Sequence, residues 1–181
     1  MSASVLILAL GNPILGDEGV GLKALSRLSS EYRFPSSVEL LDGGTAGLSL
    51  APAVSAAAKV IVVDAVRSGQ PAGSVVELNG RKLRRHFFES ISPHQVGFRD
   101  VVSASRLMEE GNEPEEIVLI GVEPQTVELT TELSEPVDRA IDDVIVAVVA
   151  QLEAWGVETE RADATAAWPK ARPPSFGGTA R

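Results

Sequence analysis

Val5-Leu6-Ile7-Leu8-Ala9-Leu10-Gly11-Asn12-Pro13-Ile14-Leu15-Gly16-Asp17-Glu18-Gly19-Val20-Gly21 decides how this chain folds. Six apolar residues with no polar break, Val5 to Leu10, predict a strand covered on both faces, the habit of a parallel sheet. Gly11-Asn12-Pro13 ends it. Beyond the turn, Val20, Leu22, Leu25 and Leu28 recur at helical spacing and predict a helix over about 18–32. The segment is therefore a strand, a glycine-rich polar loop and a helix in succession.

The same alternation continues outward. Val38–Asp42 predicts a second strand stopped at Gly43-Gly44, with Thr45 placed to cap a short helix through Leu48, Leu50, Val54 and Ala57. Val60–Val63 is the most apolar stretch and predicts the central strand, with Asp64 at its carboxyl end. Ser74–Leu78 and Ile117–Val122 predict two more strands, and Val101, Ser105 and Met108 a helix over about 97–110. Ser134, with Pro136 in the first turn, opens a last helix through Val137, Ile141, Val144, Ile145, Val148, Leu152 and Trp155. The basic and aromatic segment Arg81–Ser90 resists assignment. Strands alternating with helices predict a three-layer α/β sandwich of the phosphorylase/hydrolase-like kind, its twisted sheet flanked by helices. The link from Asp64 to Ser74 is too short for a crossover helix, so the sheet is expected to be mixed, mostly parallel. One domain is expected over 1–156. Residues 157–181, rich in Pro, Gly and Ala, are expected to form a structureless tail.

The chain has 181 residues, and 44% hydrophobic with 23% charged residues is ordinary globular composition. Its 16 Lys+Arg against 25 Asp+Glu give a net charge of −9, which repels phosphate backbones and argues against nucleic-acid partners. No cysteine is present, which excludes disulfides, thiolate metal sites and a cysteine nucleophile. No apolar run reaches the roughly 20 residues that span a bilayer, and Ser2–Leu10 lacks the basic start and length of a signal peptide. A cytoplasmic protein without membrane partners, monomeric, is expected.

In open α/β sheets ligands collect outside the carboxyl ends of the strands. Polar residues gather there in three places: Gly11–Gly21 after the first strand, Asp42–Gly47 after the second, and Asp64 after the third. Ser92-Pro93-His94-Gln95 stands in a loop before a helix. Each residue alone has a plain reading: Asp64 as a turn cap, Glu18 as a first-turn helix acid, His94 as a solvated loop histidine. Together, Glu18, Asp64 and His94 make a sensible site for a first-row divalent ion, with coordination positions left open. A dication would also offset the repulsion between two converging carboxylates. The zinc helix H-E-x-x-H, the elbow G-x-S-x-G and both common phosphate-binding glycine motifs are absent.

Four blocks, in order, carry a resemblance: Leu10-Gly11-Asn12 with Asp17-Glu18 and Gly21; Leu41–Gly47; Val63-Asp64-Ala65; and Ser92–Gln95. Over about residues 4–155 the chain resembles the nickel-iron hydrogenase maturation endopeptidases, which remove a C-terminal extension from the hydrogenase large-subunit precursor. The resemblance implies a twisted mixed sheet between helices and maps the family's metal-contacting residues onto Glu18, Asp64 and His94. It also implies that nickel arrives on the precursor, bound by that protein's cysteines, and that its thiolates fill the open positions. Two chemistries stay open: polarisation of the scissile carbonyl or of a water by the ion, or activation of water by a carboxylate. Asp42 is the candidate carboxylate; its plain reading is a brace for the Gly43-Gly44 turn. Gly43, Gly44 and Thr45 are candidate backbone donors to the substrate peptide.

Two alternatives belong to other classes. Gly11-Asn12-Pro13 after an apolar strand is also reminiscent of peptidyl-tRNA hydrolases, but the net charge disfavours tRNA and no histidine follows closely after Gly11. A non-catalytic, metal-sensing chaperone of the hydrogenase precursor would keep the same ligand set.

Overall fold

A computed structural model of the chain describes residues 4–89, 100–104 and 113–162. A five-stranded sheet is built from β1 (Val5–Leu10), β3 (Val38–Gly44), β4 (Lys59–Ala65), β5 (Val75–Asn79) and β6 (Glu116–Val122), in the order β3-β1-β4-β6-β5. The first four pair in parallel; β5 runs antiparallel to β6, as the short 64–74 link requires.

All six residues of β1 are buried because the strand lies inside the sheet and both of its faces are covered. Strand alternation sorts them. Val5, Ile7 and Ala9 join Ile61, Val63 and the inner faces of α1 (Val20–Glu31) and α4 (Glu135–Ala154) in one core. Leu6, Leu8 and Leu10 join Val60, Val62 and residues of α2 (Ala51–Ala56), α3 (Gly80–Glu89) and the helical stretch 100–104 in the other. These are the three layers expected from the sequence.

Several local expectations shift. The helix after β1 is preceded by a 3-10 turn, Gly16–Gly19, so α1 proper starts at Val20. The segment 80–89 is helical, with Leu83 buried in the second core and Arg81, Lys82 and Arg85 exposed. The short helix expected after Thr45 divides into a 3-10 turn, Gly47–Leu50, and α2. Of the helix expected over 97–110, residues 100–104 are described and helical. The fold does not stop at 156, and residues 163–181 of the expected tail lie outside the described residues. Val157 is buried, and Glu160–Arg161 forms a short strand, β7, antiparallel to β2 (Tyr32–Arg33). The Ala162 N–H donates to the Glu31 carbonyl, so the fold extends through Ala162.

Topology creates the crevice. From β1 the chain moves outward to β3, then crosses back to β4 on the other side of β1. The carboxyl ends of β1 and β4 therefore flank the point where the winding reverses, the usual ligand position in such sheets. The turn that leaves β1 is seated by two glycines. Gly21 brings α1 so close to the sheet that a β-carbon would lie 2.5 Å from the Val63 carbonyl oxygen and 2.6 Å from that of Leu10. Gly11, at φ +126°, gives way to the Glu18 carbonyl oxygen, which lies 1.9 Å from where its β-carbon would stand.

Both oxygens facing Gly21 belong to the backbone and have little room to yield. Gly21→Ala is expected to destabilise the fold by about 2–3 kcal/mol in urea unfolding; an unchanged midpoint would contradict the close approach.

Candidate functional site

Asp64 ends the central strand, where it is 3% exposed. Among the described residues its carboxyl accepts one hydrogen bond, at 2.8 Å, from the Ala65 N–H. Burial pushes its pKa up from an ordinary 3.8 to about 7; the Ala65 N–H opposes the shift and the charge of Glu18 adds to it. Glu18 is half-buried on the 3-10 turn after β1. Gly11 links the two: its missing β-carbon would lie against the Glu18 carbonyl and 3.8 Å from the Asp64 Oδ1. Residues 46 positions apart in sequence thus meet at one crevice mouth.

This pair fits a cation. A carboxyl held out of water with one hydrogen bond and a second acid beside it is poorly satisfied in its charged form, and a divalent ion would repair that deficit. Two carboxylate oxygens suit a hard-to-borderline ion and leave positions open. Among the described residues no cluster of three or more His, Cys, Asp and Glu side chains forms a metal cage. His94, the third ligand expected from the sequence, lies outside the described residues together with Ser92-Pro93 and Gln95.

Asp42 stands apart from the pair. The sequence suggests neighbouring strand ends, but β1 lies between β3 and β4, so the two aspartates are separated by two strand spacings, roughly 10 Å. Alternation also sends them to opposite faces. Val38 and Leu40 belong to the core under α1 and α4, whereas Val60 and Val62 belong to the other. Burial raises the Asp42 pKa, and a hydrogen bond from the Gly44 N–H opposes this. That N–H, considered from the sequence as a donor to substrate, is therefore engaged with Asp42. The Gly44 carbonyl accepts from the Gly11 N–H at 3.1 Å, and the Ala46 N–H closes a turn onto the Gly43 carbonyl at 2.9 Å. Thr45 is exposed at the rim and Gly43 is buried.

Asp17 is the polar residue whose individual importance the sequence reading misses. It is fully buried. Its carboxylate accepts from the N–H groups of Gln125 (2.8 Å), Thr126 (3.0 Å) and Ser134 (2.7 Å), and from the Ser134 hydroxyl (2.9 Å). Burial alone would raise its pKa, but these four donors outweigh burial and lower it. Ser134 does stand at the N-cap of α4, yet its side chain makes no capping hydrogen bond and serves Asp17 instead. The one sequence signal was position: a charged residue next to Glu18 in a loop framed by glycines.

Fold and site together define an α/β protein with an acidic, cation-ready crevice at the switch point of its sheet. The chain belongs to the hydrogenase maturation protease family: the family profile, HycI, matches residues 22–151. It is 36% identical over 155 residues to the hydrogenase 2 maturation protease of Escherichia coli, covering 85% of this chain and 93% of that protein. It is also 36% identical to the hydrogenase expression/formation protein HupD of Rhodobacter capsulatus, covering 87% of this chain and 75% of that one. Among solved structures, the hydrogenase maturating endopeptidase HybD from E. coli superposes with a TM-score of 0.81 at 34% identity, over 87% of this chain and 97% of that chain. The [NiFe] hydrogenase maturation protease HybD from Thermococcus kodakarensis gives a TM-score of 0.68 at 28% identity, over 82% and 98%. The chain is accordingly an enzyme, a peptidase, and the tRNA-hydrolase and non-catalytic alternatives fall away. No helix among the described residues is long and apolar enough to cross a membrane.

The Asp64 shift has a definite sign in stability. Between about pH 4 and 7 the unfolded chain has lost this proton while the folded chain retains it, so stability present in acid is lost as pH rises to about 7. Asp64→Asn removes that dependence. At pH 8, without added metal, the variant is expected to be more stable than wild type by at most about 4 kcal/mol, the free-energy equivalent of the shift. Parallel pH–stability curves for the two proteins, from chemical unfolding, would contradict the burial argument.

Proposed function

We propose that this peptidase matures a nickel-iron hydrogenase by removing a C-terminal extension from the large-subunit precursor once nickel is in place. Glu18, Asp64 and His94 recognise the nickel that the precursor carries on its own cysteines. The observation that carries this reading is the buried Asp64 carboxyl beside Glu18: two acids at one crevice mouth and, with no cysteine in the chain, no thiolate of its own to retain a soft ion. Family membership and the names of the similar proteases support it.

Docking on the metal would hold the scissile peptide over the end of β1, which turns an encounter in solution into a fixed geometry. Asp64 gives up its proton on docking, so recognition strengthens as pH rises through about 7. Asp42, across Gly11 from Asp64, is the base in this scheme. It takes a proton from water as the water oxygen bonds to the scissile carbonyl carbon, then returns that proton to the departing amide nitrogen as the C–N bond breaks. Thr45 at the rim, with the buried Gly43 behind it, lines the path of the peptide. Glu18, Asp64 and His94 act on the substrate's metal and Asp42 on its peptide bond. Nickel is thus part of the substrate and not a resident cofactor, and a monomer suffices.

Nickel-loaded precursor is expected to be shortened by the wild-type chain, read by mass spectrometry, and nickel-free precursor left intact. His94→Ala and Glu18→Gln are each expected to slow cleavage by about 100-fold or more while the variants stay folded. Asp42→Asn is expected to stop cleavage but still bind loaded precursor. Efficient cleavage of nickel-free precursor, or full activity of His94→Ala, would overturn the reading.

A further inference from the structure

The buried Asp17 is tied to a part of the chain far from its own loop. Its hydrogen-bond donors, in Gln125, Thr126 and Ser134, lie 108 to 117 residues away. Two backbone bonds run beside them: the Gly16 N–H to the Thr130 carbonyl at 2.7 Å, and the Thr130 N–H to the Ile14 carbonyl at 3.1 Å. Together they fasten the segment between β6 and α4 to the turn that carries Glu18.

Stability alone gives a weak reason for a charged fastener. The helix that follows is already anchored by Val137, Ile141, Val144 and Val148 in the core, and well-packed apolar groups often match or better a buried charge network in stability. What four convergent donors do supply is a fixed orientation. Successive side chains on a 3-10 turn leave its axis about 120° apart. With Asp17 pinned toward 125–134, Glu18 is directed elsewhere, to where its charge is felt by Asp64. On its other side the turn is seated by Gly11, whose bare α-carbon receives the Glu18 carbonyl. Glu18 is held between these two fixed points.

We propose that Asp17 is a positioning residue for the cleavage reaction: through its hydrogen bonds to Gln125, Thr126 and Ser134 it sets the placement of Glu18 at the crevice. It touches no substrate. The inference rests on the reading that Glu18 contacts the precursor's metal. The segment 124–134 thereby becomes the second wall of the site, and its seating is transmitted to Glu18.

The test is single-turnover cleavage of nickel-loaded precursor by excess enzyme, with Asp17→Asn made in both wild-type and Glu18→Gln backgrounds. Asparagine matches aspartate in shape but presents an N–H₂ where backbone donors converge. Asp17→Asn is expected to slow the saturated rate by about tenfold in the wild-type background and by less than about twofold when Glu18 is already Gln. A loss of the same factor in both backgrounds would overturn the positioning role, because damage to the fold acts irrespective of Glu18. Should Asp17→Asn fail to fold, Ser134→Ala removes the hydroxyl bond alone. It is expected to slow the wild-type background by about two- to fivefold with the same dependence on Glu18; a wild-type rate for it would equally overturn the proposal. Failure of the underlying reading is separately visible, since Glu18→Gln alone would then cleave like wild type.

Discussion

A carboxyl group kept from water at the end of the central strand, with the charge of a second carboxylate acting on it, is the constraint on which the site depends. Asp64 is held there by the sheet and cannot withdraw without unseating β4 from β1 and β6. Glu18 cannot withdraw either, because its carbonyl is seated against Gly11 and its neighbour Asp17 is fixed by four hydrogen bonds. The arrangement is costly in the free protein and is relieved by positive charge. In the proposed scheme that energy is realised when the metal-bearing substrate docks.

The two buried aspartates show how environment divides one chemistry into two roles. Asp17 has its negative charge met by donors and stays ionised, so its contribution to stability is lost only as pH falls through its depressed value. Among the described residues Asp64 has one such donor, and it retains its proton up to about pH 7. One is a fastener; the other, in the proposed scheme, exchanges its proton for the precursor's metal ion.

Much of the scaffold was legible in the sequence because it is written in apolar runs. Val5–Leu10 and Val60–Val63 are buried on both faces, and an unbroken apolar run bounded by turn residues marks such a strand. The antiparallel β5 followed from chain length alone. The Arg81–Ser90 segment gave no such signal, since Leu83 among the exposed Arg81, Lys82 and Arg85 defines no period before the sheet is in place. The ordered run to Ala162 rests on a two-residue strand pair and a single buried valine, contacts that only the folded chain supplies. At the site, Glu18 and Asp64 were legible as residues at strand ends, and their meeting follows from the switch in winding between β1 and β4. The separation of Asp42 from Asp64 was not, because strand order in space differs from strand order in sequence. The Asp17 network was equally hidden, being made by partners more than a hundred residues distant.

The most direct measurement is X-ray absorption at the nickel edge, taken on the loaded precursor alone and then in complex with the Asp42→Asn peptidase. Addition of oxygen and nitrogen ligands to a thiolate-bound nickel on complex formation is the expected result, with loss of the added oxygens when Glu18 and Asp64 are replaced by their amides. A nickel environment unchanged by the peptidase would contradict recognition through these carboxylates.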